Sequence, residues 1–201
     1  MRHSGRALTA MAVSLLLHAA YARAGDAPKS PPVKSITRLP EEFGDLSRVL
    51  SIQKAVATCQ LTNKASRLRL RIDFYQKGKK LEKESQRSGI EVLEGESMVK
   101  CAVHLIDLDY LPLGGGEPGH LRVHFQLGAR GISFGTSSDI AKSDFHGGAI
   151  NVFSARAAKG NEIPLFYAIA NTNSIVAGAT PEDVIRVNPD ADVLVATLEV
   201  E

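Results

Sequence analysis

The sequence predicts an all-β fold, an antiparallel β-sandwich of seven to nine strands with at most one or two short helices. Three observations predict it. Apolar and polar residues alternate with period two in segment after segment. Clusters of Gly, Pro, Asn and Asp punctuate those segments as turns. No stretch shows the strand–helix–strand rhythm of a parallel sheet, which argues against a βαβ enzyme fold.

In chain order, residues 46–61 suit a helix or a strand equally, through Val49, Ile52, Val56 and Cys59. Leu68, Leu70, Ile72 and Phe74 then alternate with Arg67, Arg69, Arg71 and Asp73, the pattern of a half-buried antiparallel strand. Lys77-Gly78-Lys79 reads as a turn, and Lys80 to Arg87 as a polar, edge-like return strand. Val99, Cys101, Val103 and Leu105 form the apolar face of a further strand, with Lys100, Ala102 and His104 opposite. Leu121, Val123, Phe125 and Leu127 repeat the pattern against His120, Arg122, His124 and Gln126. Ile150 and Val152 begin another strand, and Ile163, Leu165, Tyr167 and Ile169 mark the next. The last run, Val193 to Val200, is apolar on both faces and is expected to be a central strand. Thr180-Pro181-Glu182-Asp183 is a helix start: a capping hydroxyl, Pro at the first position and acids in the first turn. Val187-Asn188-Pro189-Asp190 stops that helix after one or two turns.

The N-terminus predicts export. Arg2, His3 and Arg6 precede a sixteen-residue apolar run, Ala7 to Ala22, which ends in Ala22-Arg23-Ala24. A basic start, a short apolar centre and small residues before the cut make a secretory signal; a membrane span needs about 20 residues. Residues 1–24 are therefore expected to be a cleaved signal peptide. Residues 25–42 carry Pro28, Pro31, Pro32 and Pro40 and are expected to be a flexible tether. Residues 43–201 are expected to form one domain. The expected location is periplasmic or extracellular, with no membrane span after cleavage.

Cleavage removes three arginines and no acid, leaving 21 basic against 22 acidic residues. The basic isoelectric point of the whole chain is thus no argument for nucleic-acid binding. Two cysteines remain, Cys59 and Cys101, and in an oxidising compartment such a pair is expected to bridge.

Few motifs carry chemistry. Gly131-Ile132-Ser133-Phe134-Gly135 matches G-x-S-x-G, but the residues after it are too rich in Ser, Gly and Asp for the required helix. Ser133 is expected to be an ordinary strand residue. His104, His120 and His124, with Asp107 and Asp109, are weak metal candidates. Positions 120 and 124 lie about 13 Å apart on a strand, so they need a ligand from a neighbouring strand to share an ion. No metal and no cofactor is assigned. The polar stretch from Asp139 to His146 is a loop in which a site could form.

The strongest signal is charge. From Lys64 to Arg87 there are nine basic and three acidic residues, and from Asn161 to Glu201 seven acids against Arg186. Arg67, Arg69, Arg71, Lys77, Lys79 and Lys80 form a candidate patch for an anionic partner. Edge protection and internal pairing with the acidic C-terminal region are the alternatives. The leading expectation is an exported, non-catalytic binding, adhesion or assembly module for an anionic envelope component or another protein. The rival is a small secreted enzyme or metal-binding protein using the Asp139–His146 loop and the nearby histidines. If the export reading is right, the mass of the exported product matches a chain starting at Gly25; a mass retaining residues 1–24 refutes it.

Overall fold

Two strands set the architecture of the computed structural model, which describes residues 31–40, 52–83, 85–110, 117–129, 132–141, 145 and 149–201. They are β2 (Ile52–Gln76) and β4 (Gln86–Asp107), 25 and 22 residues long. A typical strand has about 5–6 residues. Both are long because each runs through two sheets. Their pairing slips in register between Gln60 and Ala65 and again before Arg67. Such bulges bend a strand and increase its twist.

On one side of the slip, β2 lies between β1 (Val33–Leu39) and the later half of β4. That half of β4 continues into β5 (His120–Ala129) and β6 (Ile132–Ala141). On the other side, β2 lies between the first half of β4 and β9 (Asp192–Val200), followed by β8 (Glu162–Ala170) and β7 (Ala149–Val152). A two-residue β3 (Lys79–Lys80) completes the hairpin after β2. All of these pairings are antiparallel. The result is an all-β, sandwich-like fold of two antiparallel sheets that share β2 and β4, within one compact unit spanning Pro31–Glu201. Among the described residues there is one α-helix, α1 (Pro181–Val187).

The core lies between the sheets. Leu68, Leu70 and Ile72 from β2, Val99, Cys101 and Val103 from β4, and Leu194 and Leu198 from β9 are fully buried in it. Phe125 of β5 meets Phe166 of β8 edge to face across the sandwich, with ring centroids 6.0 Å apart. A smaller cluster covers the outside of the second sheet, where Tyr167, Ile169, Val193 and Val195 pack against Val184 and Ile185 of α1. Burial on both faces is why the terminal strand reads apolar throughout; β9 is indeed central, between β2 and β8.

The helix forms where its signals stand. Thr180 Oγ1 accepts a hydrogen bond from the Asp183 N–H at 3.2 Å, and Pro181 takes the first helical position. Asn188 ends it, donating through Nδ2 to the Val184 carbonyl at 2.7 Å.

Several expectations change. Residues 33–39, inside the segment expected to be a tether, form β1 and pair with β2 from Val33↔Leu61 to Leu39↔Val56. The ambiguous segment resolves as strand from Ile52, since Ala55, Ala57, Cys59 and Leu61 alternate inward; residues 46–51 lie outside the described ones. The expected strand from Lys80 to Arg87 is interrupted. Ser85 donates back to the Leu81 carbonyl at 2.8 Å through its hydroxyl, and pairing with β2 resumes at Gln86. In β8 the single apolar face predicted for Ile163, Leu165, Tyr167 and Ile169 is split by a bulge between Pro164 and Phe166. Proline lacks the N–H a regular ladder needs. Beyond it, Phe166 and Ala168 face the main core while Tyr167 and Ile169 face α1. The signal peptide and residues 25–30 lie outside the described residues. No helix among the described residues is long and apolar enough to cross a membrane.

The expected Cys59–Cys101 bridge is absent, and both thiols are free and fully buried. The register explains it. Cys59 stands opposite Val99 and Cys101 opposite Ala57, so the two are diagonal neighbours on adjacent strands. Diagonal positions lie about 7–8 Å apart, whereas a disulfide needs Cβ atoms about 3.5–4.5 Å apart. Burial pushes the Cys59 thiol up to about 12, which suppresses the reactive thiolate. We expect both cysteines to resist alkylation in the native protein and to react fully in denaturant without reductant. Disulfide-linked peptides in a non-reducing digest would contradict this.

Candidate functional site

The second sheet's outer face carries the densest polar arrangement in the described structure. Alternation along β2 turns Leu68, Leu70 and Ile72 inward, which leaves Arg67, Arg69, Arg71 and Asp73 outside. On the neighbouring strands Arg87 stands directly opposite Arg71, and Glu199 directly opposite Arg69. Two arginines facing each other across a ladder repel. Glu199 resolves the conflict: its Oε1 lies 2.7 Å from Arg71 Nη1 and its Oε2 accepts from Arg87 Nε at 3.1 Å.

Arg71 is the hub. Its Nε donates to Asp73 Oδ2 at 2.8 Å, and its two terminal nitrogens donate to Glu162 at 2.7 and 3.1 Å. A guanidinium can hold several carboxylates because its donors spread in a rigid plane. The hydrogen bond to Glu162 is the main influence raising the Arg71 pKa, against burial, and the same bond holds the Glu162 carboxyl below its ordinary range. Asp73 and Glu199 are only 3% and 2% exposed, so this cluster is a part of the fold. Lys80 adds a contact at 3.0 Å to the other oxygen of Asp73. Beside the cluster a groove of about 410 Å³ opens, floored by Arg71, Asp73 and Tyr75. Arg156 and Lys159 rim it from the turn before β8, and Glu182 from α1.

The expected anionic-partner patch therefore divides. Arg69 lies 3.1 Å and Arg67 3.8 Å from the Glu201 carboxylate, Arg71 is in the cluster, and Lys80 faces Asp73. Lys77 and Lys79 make no ion pair among the described residues and are exposed at the hairpin tip. That tip is a tight turn with Lys77 and Gly78 both in the left-handed region, φ 48° and 76°, as a two-residue hairpin of this twist requires.

The remaining candidates separate in space. His104 stands opposite His124 across β4 and β5, whereas His120 is turned to the Pro118 carbonyl and Glu117. Asp107 accepts from the Asp109 N–H at 3.0 Å, and Asp109 accepts from the Gly119 N–H at 2.7 Å. Asp109 thereby ties the turn after β4 to the residue before β5. No group of three or more His, Cys, Asp or Glu converges as a metal site among the described residues. Ser133 is the second residue of β6, accepting from the Gln126 amide, and the strand runs on to Ala141 with no strand-to-helix turn after it. Asp139 pairs with Arg122 through two bonds of 2.8 Å, which lowers its carboxyl pKa. Within the stretch to His146, residues 142–144 and His146 lie outside the described ones.

Glu162 and Glu199 were not singled out from the sequence. Glu199 had a legible signal, since a lone charge in a strand apolar on both faces must be paired. Its partners, 128 and 112 residues away, had none.

Replacing Arg71 with Met is expected to cost about 1.5–3 kcal/mol, because it takes the charged hydrogen bonds from three carboxylates and leaves buried Asp73 to Lys80 and buried Glu199 to Arg87 alone. Urea unfolding of the variant and wild type measures the deficit. A depressed carboxyl contributes stability above its unfolded pKa and loses it as pH falls through the folded value. The deficit should therefore shrink as the pH drops below about 4.3. A deficit that is unchanged there would contradict the Arg71–Glu162 pairing.

Comparison of the chain with protein-family models, with curated proteins and with solved structures finds no match.

Proposed function

We propose that this chain is an exported, non-catalytic binding or assembly module that meets an anionic envelope component through the β2–β3 hairpin tip. One observation carries the reading: the sorting of positive charge on this sheet. Arg67, Arg69, Arg71 and Lys80 are engaged by the protein's own carboxylates. Lys77 and Lys79 are left over, exposed, and presented by a turn that is fixed in place. The Lys77 N–H bonds the Ala191 carbonyl at 3.1 Å, which ties the tip to the start of β9. Exposed charges on a rigid base attract anions over about a Debye length at little ordering cost. Export rests on the signal pattern of residues 1–24, and with it a periplasmic or extracellular location.

The test is retention on dextran sulfate as a function of salt. Lys77→Glu/Lys79→Glu should elute at clearly lower salt than wild type, while Arg67→Gln/Arg69→Gln should shift far less because those charges are already paired. The reading fails if the lysine variant elutes with wild type.

A further inference from the structure

The end of the second sheet that carries the hairpin tip also carries an apolar one. Gln76 of β2 and Ala170 of β8 both stand opposite Asp192, the first residue of β9. The β2–β3 turn and the loop after β8 therefore leave the sheet from the same end, two strand spacings or about 10 Å apart. The turn carries Lys77 and Lys79, both exposed. The loop, residues 171–179, carries Ile175 and Val176, which are 50% and 47% exposed. Among the described residues only one other large apolar side chain, Met98, is as exposed.

The loop is held in this position. Buried Asn188, which ends α1, accepts from the Val176 N–H at 3.0 Å and donates to the Val176 carbonyl at 2.8 Å. Both backbone groups of Val176 are thus satisfied while its side chain is left to solvent. Gly178 packs the end of the loop onto α1, where a Cβ would stand 2.5 Å from the Val184 nitrogen. At the start of the loop the Thr172 hydroxyl donates to the Ser174 carbonyl at 3.0 Å. The Asn188–Ala191 turn then joins loop to hairpin: the Ala191 N–H bonds the Asn188 carbonyl at 3.2 Å, and the Ala191 carbonyl takes the Lys77 N–H. One hydrogen-bonded path runs from Val176 through Asn188 and Ala191 to Lys77, so both tips are fixed to one frame. A loose loop could lay two aliphatic side chains against the protein, where leaving water stabilises them; this one is pinned with them outward.

We propose that this end of the molecule docks on an anionic lipid surface, with Ile175 and Val176 entering the headgroup region and Lys77 and Lys79 meeting the lipid phosphates. The proposal rests on the hairpin-tip reading and names its anionic partner. Aliphatic side chains beside cations on projecting loops match a bilayer surface, which is apolar just beneath an anionic layer. A soluble polyanion would use the lysines and leave the aliphatic pair without a role. Two cations and two aliphatic side chains make a weak, reversible contact. Asp190, exposed in the joining turn, opposes it.

The chain has no tryptophan, so Ile175→Trp places a single reporter in the loop. Vesicles of phosphatidylglycerol mixed equally with phosphatidylcholine should shift its emission to the blue, and brominated acyl chains should quench it. Vesicles of phosphatidylcholine alone should do neither at the same lipid concentration. Met98→Trp, on the other side of the bend in β2, should keep a water-like emission with both. In the Ile175→Trp background, Lys77→Gln/Lys79→Gln should raise the lipid needed for half the shift about thirtyfold, since each lysine near an anionic surface is worth about fivefold. Asp190→Asn should lower it. All of these positions are exposed, so the variants keep the fold. A water-like emission from Ile175→Trp at saturating anionic lipid, an equal shift from Met98→Trp, or a shift indifferent to the two lysines would each overturn the proposal. If emission stays water-like but retention on dextran sulfate still depends on the lysines, lipid is removed and the hairpin reading stands, with a polysaccharide or a protein as the partner. Loss of both removes the hairpin reading itself.

Discussion

Between Gln60 and Arg67 the ladder of β2 and β4 loses its register and bends. Before the bend, β2 shares its second edge with β1; after it, with β9. One hydrogen-bonded surface thereby folds back over itself, and its two halves close on a common core. The alternation of Leu68, Leu70 and Ile72 has its buried face only because of this closure. The same bend carries Arg67, Arg69 and Arg71 to the outside and brings the C-terminal strand alongside them. Twisted strands of this length curl or split rather than stay flat, and a bulge localises the turn.

The charged cluster follows from that placement. Strand pairing sets Arg87, Arg71 and Arg69 side by side, an arrangement that repels unless carboxylates intervene. β9 and β8 supply Glu199 and Glu162, and β2 itself supplies Asp73. Ion pairs this buried are weak net contributors, since desolvation offsets much of the attraction, but breaking one leaves an uncompensated charge. A one-residue slip of β9 against β2 would turn Glu199 inward and take from Arg71 and Arg87 the carboxylate they share.

The sheets differ in what their outer faces do. The second is largely closed by α1 and the Ala155–Ala157 turn, which gives it a second apolar cluster beside the charged one. The first presents cross-strand polar pairs, Arg122 with Asp139 and His124 with Ser137. A covered face steadies the β2–β3 hairpin through the Lys77–Ala191 bond, while an open face leaves side chains within reach of solvent and solutes.

Much of the fold was legible in local pattern. Period-two alternation marked β5, the later half of β4 and the arginine strand, since a half-buried strand writes its burial directly into its sequence. The burial of β9 on both faces and the capped α1 were equally local, because a central strand and a helix start each carry their own residue preferences. Strand β1, the Pro164 bulge and the free cysteines were not legible. Each depends on which residue stands opposite, and register between segments far apart in sequence is set by packing. The site divides along the same line. Opposite charge in the Lys64–Arg87 and Asn161–Glu201 regions was visible as composition. Only the tertiary structure decided that Glu199 lies between two arginines, that Lys77 and Lys79 are left exposed, and that His104 faces His124, because each joins strands that meet only once the sheet has closed.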